Sequence, residues 1–193
     1  MTVTPKFAHV VLQTNQLPRM RDWYCTVLGA RVVYENPGAC FLTFDEEHHR
    51  IAFVASPAEP FAERTPLTVG LQHSAYTFPD LAALLDRFGD LKGQGIDPLV
   101  PIQHGVTTSL YYRDPDGNAV ELQVDNFSTA AQASAYMVGP EYTGDVVGPT
   151  FDPERMAEAL RAGTSPAELQ TRAWAIEAGP PIENAIAALM APA

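Results

Sequence analysis

The chain has 193 residues, 46% of them hydrophobic, and its 12 basic against 23 acidic residues leave a formal net charge of −11. That length builds one ordinary domain or two small modules. An acidic chain without a Lys/Arg cluster has nothing to neutralise a phosphate backbone, so no nucleic-acid partner is expected. No run approaches the roughly 18 consecutive apolar residues of a membrane span, and Met1-Thr2-Val3-Thr4-Pro5-Lys6 lacks the apolar run of a signal peptide. The expected location is the cytoplasm, with no membrane partner. Cys25 and Cys40 are too few for a disulfide framework or a zinc knuckle and are expected to be buried, reduced and inert.

The first element is a strand over residues 7–13, with Phe7, His9 and Val11 on one face by its period of two. A helix follows, because Leu17, Met20, Tyr24, Val27 and Leu28 recur at helical spacing, Pro18 suits a first turn and Gly29 a last one. Three short strands fit Arg31 to Tyr34, Cys40 to Phe44 and Arg50 to Ala55, divided by Asn36-Pro37-Gly38 and the polar segment Asp45 to His49. The pattern then restarts. A strand from Leu71 to Phe78 leads to a helix carrying Leu81, Leu84, Leu85 and Phe88, then to strands near Leu99 to Gln103, Thr108 to Arg113 and Ala119 to Val124. The last two are joined by Asp114-Pro115-Asp116-Gly117, which has strong turn chemistry.

This is an internal repeat of a β-α-β-β-β unit, with modules at residues 5–58 and 67–125. The predicted fold class is α+β. One small curved sheet cannot bury its concave face alone, so the two modules are expected to pair into one incomplete barrel around a pocket and metal site. Beyond Phe127 the character changes. Pro140, Gly144, Gly148 and Pro149 punctuate a stretch read as irregular, and Ala-rich helices follow. Asp152-Pro153 suits an N-cap with N1, Ser165-Pro166-Ala167-Glu168 has capping-box spacing, and a third helix fits Ile182 to Leu189. No acid, base or metal cluster stands out there, so residues 128–193 are assigned to packing, pocket covering or subunit contact, including contact between copies of the chain.

His9 and His73 occupy matching places in the two modules, and Glu121 lies on the last strand of the second, flanked on its face by Ala119 and Gln123. A strand histidine is in most proteins satisfied by an ordinary hydrogen bond. A carboxylate facing a pocket beside two imidazoles is costly, however, and a divalent metal removes that cost. Two neutral imidazoles and one carboxylate suit Fe(II) with open positions for oxygen chemistry, and Mn(II) fits the same donors. A hydrolytic Zn(II) site uses the same ligand types. The first module has Ala52 where the second has Glu121, so a fourth protein ligand is absent.

The run Ile102-Gln103-His104, Leu110-Tyr111-Tyr112-Arg113, Asp114-Pro115-Asp116-Gly117 and Glu121 resembles the signature of type I extradiol ring-cleaving dioxygenases, members of the vicinal oxygen chelate superfamily. The segment His48-His49-Arg50-Ile51-Ala52-Phe53 is similar to their paired-histidine strand. The resemblance covers roughly residues 5–127 and implies a catalytic domain over 1–127 with a C-terminal helical extension. It implies His9, His73 and Glu121 as iron ligands and His49, His104 and Tyr111 as the acid-base set, with His48 and Tyr112 pointing away. The implied reaction chelates a catechol on Fe(II) and inserts both atoms of O2 beside the diol. In it Tyr111 and His104 hydrogen-bond the chelating oxygens and help accept a proton, while His49 stabilises reduced oxygen and returns a proton. The substrates are a catechol, of monocyclic or 2,3-dihydroxybiphenyl type, and O2. Two rival functions are a glyoxalase-like metal-dependent isomerase or transferase, which needs a further ligand where Ala52 stands, and a protein that binds an aromatic ligand without turnover.

Overall fold

The computed structural model describes residues 3–65, 67–179 and 184–191. Two compact units emerge. One comprises the described residues up to Thr65 together with the turn Asp114–Gly117, and the other comprises the rest. No helix among the described residues is long and apolar enough to cross a membrane.

The first unit runs β1 (Val10–Thr14), α1 (Leu17–Leu28), β2 (Arg31–Asn36), β3 (Ala39–Thr43) and β4 (Ile51–Ala55). β1 lies parallel to β4, β3 antiparallel to β4 and β2, and the sheet order is β1-β4-β3-β2. α1 starts with Pro18 in its first turn and buries the stripe Leu17, Met20, Tyr24 and Val27, as the helical spacing requires. Tyr24 is wholly buried, and its hydroxyl donates to Asp114 Oδ2 at 3.0 Å. Gln16 Nε2 donates to the Pro115 carbonyl at 2.7 Å, so the Asp-Pro-Asp-Gly turn belongs to this unit.

The second unit repeats the plan with β5 (His73–Thr77), α2 (Leu81–Gly93), β6 (Val100–Gln103), β7 (Thr107–Arg113) and β8 (Ala119–Asp125), in the sheet order β5-β8-β7-β6. α2 buries Leu81, Leu84, Leu85, Phe88 and Leu91, and the Asp80 side chain caps it by accepting from the Ala83 amide. The α+β class and the internal repeat are therefore as expected. Strand register places the repeat residue by residue. Val11 stands opposite Ala52 and Ala75 opposite Glu121, so His9 and His73, each two positions earlier, are equivalent, and Ala52 takes the place of Glu121.

The remaining chain adds α3 (Ala130–Met137), α4 (Pro140–Gly144), α5 (Pro153–Arg161), α6 (Pro166–Leu169), α7 (Arg172–Ala178) and α8 (Ala185–Met190) to the second unit. The expected caps are present: Asp152 accepts from the Glu154 and Arg155 amides, and Ser165 from the Glu168 amide. Of the helix expected over Ile182 to Leu189, Ile182 and Glu183 lie outside the described residues, and Asn184 caps α8.

Two expectations are corrected. The stretch read as irregular after Phe127 contains α3 and α4, and no residue of either is buried, so they carry no apolar stripe to reveal them. The first strand starts at Val10 instead of Phe7, leaving His9 just ahead of it. Arg50 Nη1 occupies the Phe7 and Ala8 carbonyls at 2.8 and 3.0 Å, and the backbone bond between the Val10 amide and the Arg50 carbonyl opens the ladder. Because the Tyr24 hydroxyl reaches a buried carboxylate, Tyr24→Phe is expected to cost about 1–3 kcal/mol in urea unfolding; an unchanged midpoint and slope would contradict this.

Candidate functional site

Four of the predicted residues meet inside the second unit. His73 opens β5, Glu121 lies on β8, and Tyr111 on β7 pairs in register with Glu121 on one sheet face. His104 sits in the tight connection from β6 to β7, where its amide donates to the Thr107 carbonyl at 2.9 Å. Glu121 is only 4% exposed. Its Oε2 lies 3.1 Å from His73 Nε2 and its Oε1 lies 4.0 Å from His104 Nε2. The Tyr111 hydroxyl stands 2.9 Å from His104 Nε2, and its ring meets the His73 ring edge-on at 5.5 Å.

Electrostatics give these groups different states. Burial works against the Glu121 charge, but hydrogen bonds from His73 and then Ser109, with the fields of His73 and His104, hold its carboxyl below the ordinary range. Burial depresses His104, against opposing pulls from Glu121 and from a hydrogen bond to the Val147 carbonyl. Burial, then the nearby Glu121 charge, pushes the Tyr111 phenol far upward. At neutral pH this pairs a carboxylate with a neutral imidazole and a phenol that keeps its proton. The geometry can therefore accept one proton at His104 and donate a hydrogen bond from Tyr111.

The other two predicted residues meet inside the first unit. The His9 and His49 rings are 4.2 Å apart, and His49 stacks on Phe41 at 5.0 Å. His49 is half-buried, and burial, followed by its neighbours His9 and His48, lowers its pKa. His48 is exposed, and Tyr112 is wholly buried with no partner for its hydroxyl among the described residues. Among the described residues, no three His, Cys, Asp or Glu side chains already stand as a metal-binding group. The thiols are free; Cys40 is buried, and burial pushes it up to about 11, the inert state expected of it.

Several residues that hold the site were given no role by the sequence. Gln103 is wholly buried; its Nε2 donates to Thr108 Oγ1 at 2.7 Å, and its Oε1 accepts from Asn126 Nδ2 at 2.7 Å and from the Gly105 amide at 3.1 Å. Those bonds fix the turn that carries His104. Arg172 Nη2, from α7, donates to the His104 carbonyl at 2.6 Å. Gln103 stands in the Ile102-Gln103-His104 run of the signature, whereas no motif read from the sequence includes Arg172.

A family model described as the Glyoxalase/Bleomycin resistance protein/Dioxygenase superfamily matches residues 6–122. The chain is 60% identical over 191 residues, 98% of it and 99% of the relative, to biphenyl-2,3-diol 1,2-dioxygenase 2 of Rhodococcus globerulus. To biphenyl-2,3-diol 1,2-dioxygenase 3 of the same organism it is 62% identical over 177 residues, 92% of this chain and 93% of that one. Among solved structures, a glyoxylase/bleomycin resistance protein/dioxygenase domain from Frankia sp. EAN1pec matches with a TM-score of 0.53 at 18% identity, covering 64% of this chain and 99% of that one, a likeness of fold alone.

Because folding favours the neutral His104 ring, its stabilising contribution is present above the unfolded pKa and is lost as pH falls through the lower folded value. In metal-free protein, NMR titration of the His104 ring is expected to give a midpoint below the ordinary value of about 6.5; a midpoint at or above it would contradict the burial argument.

Proposed function

The chain belongs to the Glyoxalase/Bleomycin resistance protein/Dioxygenase superfamily, and we propose on that premise that it is an extradiol dioxygenase, cleaving the ring of a catechol beside its diol with insertion of both atoms of O2. The observation that carries this is its 60–62% identity, along nearly the whole chain, to two biphenyl-2,3-diol 1,2-dioxygenases. A 2,3-dihydroxybiphenyl-type catechol is accordingly the first substrate to try. The reaction is placed in the cytoplasm and needs no nucleic acid or membrane. The catalytic domain is residues 1–127, and 128–193 form an extension that serves it.

We assign His9, His73 and Glu121 as ligands of a divalent metal, Fe(II), for which Mn(II) can stand in. The donors in the second unit fit one. Metal bonds of about 2.1 Å at right angles put neighbouring donors about 3 Å apart, and His73 Nε2 and Glu121 Oε2 are separated by 3.1 Å. The Gln72 side-chain oxygen lies on His73 Nδ1 and holds the ring proton there once a metal takes the place of the proton that Nε2 shares with Glu121. When bound, the metal supplies charge that lowers the pKa of a catechol hydroxyl and open positions where diol and O2 meet.

The chain's own residues supply the rest. His104, kept neutral by burial, accepts a catechol proton. Tyr111 keeps its own proton, donates a hydrogen bond to a diol oxygen and orients the ring. His49 serves the oxygen side, where its ring N–H stabilises growing negative charge and returns a proton. Positioned proton transfers of this kind contribute about 10² to 10⁴-fold each. The glyoxalase-like alternative loses support because Ala52 provides no further ligand. A binding-only protein would leave the His104–Tyr111 pair without a task.

Metal content and oxygen uptake against a panel of catechols, with iron loaded anaerobically, test the assignment. Glu121→Ala or His73→Ala is expected to abolish both iron binding and activity, whereas His104→Phe keeps the iron and loses turnover by about 10² to 10⁴-fold. Iron-loaded protein that consumes no O2 and gives no yellow product with 2,3-dihydroxybiphenyl or the other catechols would sink the reading.

A further inference from the structure

We propose that Arg172 is a positioning residue for His104: the C-terminal extension clamps the main chain of the proposed base and thereby aims its ring at Tyr111 and the bound diol. This rests on the reading of His104 above and goes beyond it, because no step of that reaction calls on residues after Glu121.

Arg172 is an unusual residue to find where it stands. It is 6% exposed and opens α7, at the helix end where a positive charge is disfavoured. Its Nη1 donates to the Glu141 carbonyl at 3.0 Å and its Nη2 to the His104 carbonyl at 2.6 Å, while Nε has no partner among the described residues. The guanidinium lies over the rings of Tyr136 and Tyr142, at 5.9 and 5.6 Å. Burying a cation with one donor unmet is a costly way to fasten two carbonyls, and an apolar residue would fill the space at less cost.

The rest of the extension converges on the same turn. The Pro149 carbonyl accepts from the Gln103 amide at 2.8 Å, and Thr150 forms a bridge with Ile102. Asp145 Oδ1 accepts from the Val147 and Gly148 amides, both at 3.0 Å, which sets the turn that presents the Val147 carbonyl. Gly148 has φ +89°, and a Cβ there would stand 2.1 Å from the Gln103 carbonyl oxygen, so only glycine lets the chain lie this close. With His104 Nε2 on Tyr111, Nδ1 is the nitrogen left for the Val147 carbonyl. A proton on Nδ1 makes Nε2 the accepting nitrogen, the one a base must present. Tyr111 is held by the same segment, since its ring packs with Val100, Ile102 and Ala185, with Val147 and Leu189 at the margin. The extension thus fixes the turn before His104, the carbonyl of His104, its ring and its partner.

The test is a double-mutant cycle on iron-loaded, full-length protein with 2,3-dihydroxybiphenyl in air, reading kcat, KM, iron content and melting temperature. Arg172→Ala is expected to lower kcat by about 10- to 100-fold, the range set by displacement of a positioned group. KM should move by less than about threefold and iron content should hold. Arg172→Lys, with one donor for the His104 carbonyl, should recover part of the loss. The decisive result is non-additivity: once His104→Ala is present, adding Arg172→Ala costs nothing more. Where Arg172→Ala does not melt cooperatively, Arg172→Gln carries the same cycle. Wild-type kcat in the Arg172 variant, or losses that multiply with those of His104→Ala, overturns the inference and leaves the dioxygenase reading intact. Full turnover in His104→Ala overturns the role of His104 and this inference with it.

Discussion

The buried carboxylate of Glu121 is the constraint that organises the second unit. An acid so far from water must be met by donors, and the surrounding strands supply them: His73 from β5, Ser109 from β7, and the field of His104 from the connection beside them. That demand explains why a strand face otherwise suited to apolar packing carries imidazole, hydroxyl and phenol side chains together. Ser109, Tyr111 and Glu121 cannot drift apart without breaking the ladder between β7 and β8, nor His73 from Glu121 without breaking that between β5 and β8. Rigid placement of this kind is what proton transfer at a fixed atom needs.

The division of labour between His104 and Tyr111 follows from the same burial. Low polarity around the pair favours the uncharged form of each, which makes one an acceptor and the other a donor at neutral pH. Neither state comes from the residue type alone. An exposed His-Tyr pair at the same separation would titrate near ordinary values and would hold no defined direction for the proton.

Much of this was legible in the chain itself. Alternation, the Asp-Pro-Asp-Gly turn and the stripes of α1 and α2 sufficed for the repeat, and the repeat was enough to align His9 with His73 and Ala52 with Glu121, as strand register bears out. Residues 102–121 carried the family likeness. Other features were hidden for physical reasons. The start of β1 depends on Arg50, a side chain more than forty positions away that occupies carbonyls a ladder would have used. α3 and α4 show no stripe because no residue of theirs is buried. Arg172 resembles any other helix arginine until its carbonyl partners are seen. Periodicity reports burial and turn chemistry; it is blind to long-range side-chain bonds to the backbone.

Ala52 has a consequence beyond the ligand count. A duplicated module arrives with both halves alike, and a single exchange of alanine for glutamate, or the reverse, is enough to make them differ. On the proposed ligand set, alanine at that position of the repeat supplies no donor, so the protein would give the ion three ligands and leave the remaining positions to exchangeable guests.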